Sequence, residues 1–124
     1  MSLKVLLIYP NMRGMNMLPP AMGLLSAVLK RDGFNVRLFD TTYYEKVDGQ
    51  AHDSDGSKSE RLMARPYVMP KEVTLKTTNV YTDFEKEVEN FGPDLLALSC
   101  TEDMFHLGIA LLKRVRHLGI KTIA

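Results

Sequence analysis

The sequence predicts an α/β fold in which a mainly parallel sheet lies between two layers of helices. Three observations predict it. Residues 4–40 read as strand, loop, amphipathic helix, glycine stop and strand, and residues 82–124 read as helix, strand, helix and strand. The run Val5-Leu6-Leu7-Ile8 is continuously apolar, as a parallel strand covered on both faces is. A strand–helix–strand unit of this length closes as a right-handed βαβ crossover. Together these give a Rossmann-like, flavodoxin-type three-layer domain with strand order 2-1-3-4. Ligands of such sheets bind outside the carboxyl ends of the strands, which directs attention to the loop from Pro10 to Gly23.

The first helix is expected to bury Ala21, Leu24, Leu25, Val28 and Leu29, and Gly33 stands where a left-handed cap is wanted. The strand ending Leu38-Phe39-Asp40 follows. Residues 41–80 then lose all periodicity and form an irregular insertion, for which a helical turn near 58–64 is expected. Leu62, Met63, Tyr67, Val68 and Met69 could pack down on the domain or on a neighbour. Thr82 and Glu85 have capping-box spacing, so a helix is predicted from there to about Asn90, with Phe84 and Val88 inward and Gly92-Pro93 as its stop. Asp94 to Ser99 is the third strand. Thr101 is the expected N-cap of a helix whose buried stripe is Met104, Leu107, Leu111, Leu112, Val115 and Leu118. Gly119 ends that helix, and 120–124 begin a fourth strand. A domain of this type normally continues beyond this point, so the chain reads as a fragment whose open edge or face wants covering. A second copy is one way to cover it.

Composition excludes several functions. A 124-residue chain is one domain, and its net charge of +1 gives no electrostatic reason to propose nucleic acid as a partner. No apolar run is long enough to span a bilayer, and no secretory pattern opens the chain, so a cytoplasmic protein is expected. The single cysteine excludes an internal disulfide, and alone it cannot supply a four-thiolate zinc site or a conventional iron–sulfur cluster. The loop Pro10–Gly23 holds no G-x-G-x-x-G and no P-loop. A receiver domain would need acidic residues where Pro10-Asn11 and Ser99-Cys100 stand.

The run KVLLIYPN…LPPAMGLLSAVLKRDGFNVRLFD resembles the opening of the cobalamin-binding domain at the N-terminus of many radical S-adenosylmethionine enzymes. That family opens with a strand ending in proline, a loop, a proline–hydrophobic–glycine–leucine helix start, a glycine and a strand ending in Asp. The stretch FGPDLLALSCTEDMFHLGIALLKRVRHLGIKTIA is similar to the family's next unit. The likeness covers residues 3–40 and 81–124 and leaves the insertion unmatched. Better-known cobalamin domains carry Asp-x-His-x-x-Gly at the first helix, with the His ligating cobalt. Here the six residues are Leu18-Pro19-Pro20-Ala21-Met22-Gly23, with Pro20 in the ligand's place and Leu18 in its carboxylate partner's. Proline offers a metal no side-chain donor. The resemblance therefore implies cobalamin held base-off and His-off.

It also implies a downstream radical domain in the same parent chain, carrying S-adenosylmethionine and a [4Fe–4S] cluster. The parent would be a methyltransferase or an oxidative cyclase of the magnesium-protoporphyrin monomethyl ester type. The fragment alone is not expected to be an enzyme, and no metal ligand is assigned within it. The residues expected at the cofactor are Pro10, Asn11, Leu18, Pro19, Pro20, Met22, Gly23, Ser99, Cys100 and Thr101.

Physical chemistry supports the same loop. A corrin is a broad apolar disc with amide edges, suited by a flat surface without long side chains and a few donors. Pro19, Pro20 and Gly23 make such a surface, and Ser99 and Thr101 could bond amides or the nucleotide tail. Each has a plainer reading: helix-start shaping and close helix–sheet packing for the prolines and Gly23, a strand end and a cap for Ser99 and Thr101, a small buried hydrophobe for Cys100. Two rivals stand beside cobalamin. One is the N-terminal half of a GT-B-type glycosyltransferase, and the other a ligand-free scaffold or sensor of the same fold.

Overall fold

The computed structural model describes residues 2–12, 18–47 and 70–124. Its sheet has four parallel strands in the order β2-β1-β3-β4: β1 Lys4–Tyr9, β2 Asn35–Asp40, β3 Leu95–Leu98 and β4 Lys121–Ile123. Among the described residues three helices cover it: α1 Pro20–Arg31, α2 Val80–Phe91 and α3 Phe105–Val115, the last entered through a 3-10 turn at Glu102–Met104. The predicted α/β class and strand order are those of the molecule. The expected helical turn near 58–64 and the packing of Leu62, Met63, Tyr67, Val68 and Met69 lie outside the described residues.

Side chains alternate across the sheet and build two cores. On one face Leu6, Ile8, Phe39, Leu96 and Leu98 pack against Phe84 and Val88 of α2 and Leu107, Leu111 and Val115 of α3. On the other, Val5, Leu7, Tyr9 and Val36 pack against Met22 of α1. Gly33, Gly92 and Gly119 end the three helical segments with φ of 91°, 60° and 66°, a region only glycine enters without strain.

Three local expectations need correction. The buried stripe of α1 runs through Met22 and Leu29, whereas Ala21 and Leu25 are exposed and Leu24 is 68 % exposed. Helical spacing reveals that a helix has an apolar side, but α1 is apolar on more than one, and which side faces the sheet is set by where β1 and β2 hold it. Helix α2 starts two residues before Thr82, because the Asn79 side chain accepts hydrogen bonds from the N–H groups of Tyr81 (2.9 Å) and Thr82 (3.1 Å). Thr101 precedes the 3-10 turn, but its side chain caps nothing, and Leu118 is exposed.

Helix α3 comes close to the sheet at Gly108, which is buried. A Cβ there would lie 2.9 Å from both terminal methyls of Leu98 and 3.2 Å from Cγ of Pro10. This contact seats Pro10, and so fixes how the chain leaves β1. Gly108→Val is expected to lower stability by about 1–3 kcal/mol through overpacking, read as a drop in Tm. An unchanged Tm would mean that Leu98 swings aside freely.

Candidate functional site

In the order 2-1-3-4 the chain leaves β1 toward β2 and returns past it to β3, so the topological switch lies between β1 and β3. The residues just beyond those strands are Pro10 and Asn11 on one side and Ser99, Cys100 and Thr101 on the other. The start of α1 stands at the same end, with Met22 packed in the core that Tyr9 shares. All ten residues singled out from the sequence therefore belong to the carboxyl end of the sheet.

They divide by what their side chains do. Pro10, Asn11 and Met22 are buried and serve the fold. Leu18, Pro20, Gly23, Ser99 and Thr101 are exposed, and Pro19 and Cys100 are half-buried. Burial pushes the Cys100 thiol up, so it stays protonated and is a poor ligand or nucleophile at neutral pH. Among the described residues no three His, Cys, Asp or Glu side chains cluster as a metal site. Also among them, no helix is long and apolar enough to cross a membrane.

The floor of this end is built by residues that periodicity does not mark. Thr41 is fully buried. Its hydroxyl accepts a hydrogen bond from the Asn11 N–H (2.7 Å) and donates one to the Asn11 carbonyl (2.6 Å). The Asn11 side-chain amide donates to the Thr42 hydroxyl (3.0 Å), which itself donates to Asp40 (2.5 Å). These bonds tie the exit of β1 to the exit of β2. The sequence signal available was the polar run Asp40-Thr41-Thr42 at the end of the second strand.

The start of α1 has unusual chemistry. Pro19 is its N-cap and Pro20 its first residue, so neither has an N–H, and no side chain caps the helix. The Met22 N–H bonds back to the Pro19 carbonyl at 3.0 Å. The N–H groups that make most helix starts attractive to anions are thus largely missing or used. Gly23 follows in the first turn, and among the described residues a Cβ placed on it would meet nothing within 4 Å. Among the described residues, Leu18, Pro19, Pro20 and Gly23 bring no charge to this helix start.

A concavity of about 410 Å³ lies at the outer edge of β2 beside α2. Arg37 pairs with Glu87 at 3.1 Å, and Asp83 accepts from the Tyr44 phenol at 2.8 Å and the Thr78 hydroxyl at 2.5 Å. The Lys76 ammonium sits 5.1 Å from the centre of the Tyr44 ring. None of the ten residues lines this cleft.

The network does have a consequence for pH. The Thr78 hydrogen bond chiefly, with help from Tyr44, Lys86 and Lys76 and against partial burial, holds the Asp83 carboxyl below its ordinary 3.8. A carboxyl lowered in the folded state stabilises above its unfolded value and loses that contribution as pH falls through the folded one. Asp83→Asn is therefore expected to be less stable than the parent at pH 7. The gap should close as pH drops below about 4, where the unfolded carboxyl protonates. Urea midpoints at pH 7 and pH 3 test this, and a gap of equal size at both would refute the role of the charge.

No family model, curated protein or solved structure matches the chain.

Proposed function

We propose that the chain is a cobalamin-binding domain that holds the corrinoid base-off and His-off over the start of α1 and the carboxyl ends of β1 and β3. The observation that carries this reading is Gly23. Glycine inside a helix costs about 1 kcal/mol relative to alanine. Here neither a positive φ nor a close neighbour among the described residues calls for it. The plainer reading of Gly23, close helix–sheet packing, thus loses its support, while a flat ligand lying against the helix start would need a residue without a side chain.

The rest of the site fits the same group. Leu18, Pro19 and Pro20 offer apolar area without a charge, and Ser99 and Thr101 offer exposed hydroxyls for amide edges. Pro20 stands where a histidine ligand would be. His106 and His117 are exposed on the far helix α3 and the turn after it, and His52 lies outside the described residues.

When bound, the corrinoid would supply methyl-transfer or oxidative-cyclisation chemistry. This chain would bind it, orient it and keep side-chain nitrogen away from its lower face. S-adenosylmethionine and the [4Fe–4S] cluster would belong to a radical domain of the parent enzyme, as the resemblance implies.

Titration of the purified chain with hydroxocobalamin, followed by absorbance and calorimetry, tests the reading. Saturable binding with a base-off spectrum, unchanged when His52, His106 and His117 are each replaced, is the expected result. Absence of saturable binding would overturn it.

A further inference from the structure

Parallel register places three polar side chains in one row on the α1 face of the sheet. Tyr9 of β1 is the partner of Asp40 of β2. On the other side Leu98 is the partner of Ile8, and the next residue, Ser99, donates its N–H to the Ile8 carbonyl at 2.9 Å. Ser99 therefore stands beside Tyr9 on the same face, because side chains alternate along each strand. The row Asp40–Tyr9–Ser99 crosses the switch point at the end where α1 begins. Val5 and Leu7, which precede Tyr9 on this face, are core residues.

Tyr9 is the centre of that row and the least explained member of it. Only 4 % of its surface is exposed. Its phenol makes no hydrogen bond among the described residues, and its oxygen is not sealed from solvent. A tyrosine whose ring belongs to the core and whose oxygen reaches the surface presents a donor there, which phenylalanine would not. Asp40 does not serve as the partner: one of its carboxylate oxygens takes the Thr42 N–H and hydroxyl instead. Burial first, then the nearby Asp40 and Cys100, raise the Tyr9 hydroxyl above its ordinary value, so it stays a neutral donor. Tyr9 is the last residue of β1, and it shares its core cluster with Met22 in the first turn of α1.

We propose that Tyr9 is a ligand-contacting residue of this site, its phenol O–H donating a hydrogen bond to a carboxamide carbonyl on the edge of the bound group. The inference rests on the cobalamin reading, whose corrin edge carries such carboxamides. It adds a polar anchor at the floor of the site to the apolar surface on α1. Tyr9 was not among the residues expected from the sequence, because an aromatic residue closing an apolar strand reads as core.

The test compares the parent chain with Tyr9→Phe, using hydroxocobalamin as the probe and thermal unfolding as the control. A buried hydrogen bond to a neutral acceptor corresponds to roughly a tenfold change in Kd. The expected result is a Kd about tenfold higher in Tyr9→Phe with Tm unchanged, since no internal hydrogen bond is lost. Equal affinity in the two proteins would overturn the role of Tyr9 and leave the cobalamin reading standing. A Tm lower by more than about 5 °C would assign the phenol to the fold and overturn it as well. No binding by the parent chain would overturn the cobalamin reading and this inference together.

Discussion

Thr41→Val is expected to lower folding stability by about 2–4 kcal/mol, the largest effect of any single conservative change at this end of the sheet. Valine matches threonine in shape, so packing is kept and only the hydroxyl is lost. That hydroxyl is the partner of both the N–H and the carbonyl of Asn11, at 2.7 and 2.6 Å, in a place with no exposure to water. Leaving a buried donor or acceptor without its partner costs about 1–3 kcal/mol for each group. The exit of β1 then loses its tie to β2, and the loop that leads to α1 starts from a loosened point. Thr41→Ser, which keeps the hydroxyl, should recover most of the loss. Urea midpoints of the three proteins measure this. A Thr41→Val midpoint within about 0.5 kcal/mol of the parent would mean that the Asn11 backbone finds other partners.

Gly23→Trp is expected to abolish saturable hydroxocobalamin binding while leaving the domain folded. The indole would project into space that is open among the described residues, so it displaces nothing internal. It would occupy the volume in which a flat ligand lies against the first turn of α1. Gly23→Ala provides the contrast. It should stabilise the fold by about 1 kcal/mol through helix propensity, and it adds only one methyl toward the ligand. Binding titrations paired with Tm values separate the two effects. Parent-like affinity in Gly23→Trp would remove the ligand from this face of α1, whatever the protein binds elsewhere.

The two predictions probe different layers of the same site. Thr41 concerns the frame: buried hydrogen bonds hold the strand exits in register. Gly23 concerns the surface that the frame presents. A domain can keep the first and lose the second, which is why stability and binding must be read in parallel. Tyr9 lies between them, a core side chain at the last position of β1.

Much of this architecture could be read from residue order. The continuous apolar runs of β1 and β3 imply strands covered on both faces. The glycines at 33, 92 and 119 mark helix ends because the backbone there turns left-handed. The crossover rule orders the strands, and strand polarity points to Pro10–Gly23 and Ser99–Thr101 before any coordinates exist. These are local signals, or rules of chain geometry, and they survive without knowledge of contacts.

Tertiary structure decided what those signals leave open. It chose the side of α1 that meets the sheet, burying Met22 and exposing Leu24, since several sides of that helix are apolar and only the position of β1 and β2 selects one. It moved the cap of α2 to Asn79, because a side chain caps only where its oxygen reaches free N–H groups. It turned Asn11 inward onto Thr41 and Thr42, a pairing across thirty residues that no periodicity records. It also set Asp40 beside Tyr9 and Leu98 beside Ile8, since the register between parallel strands is fixed by packing across the whole sheet and not by any one strand.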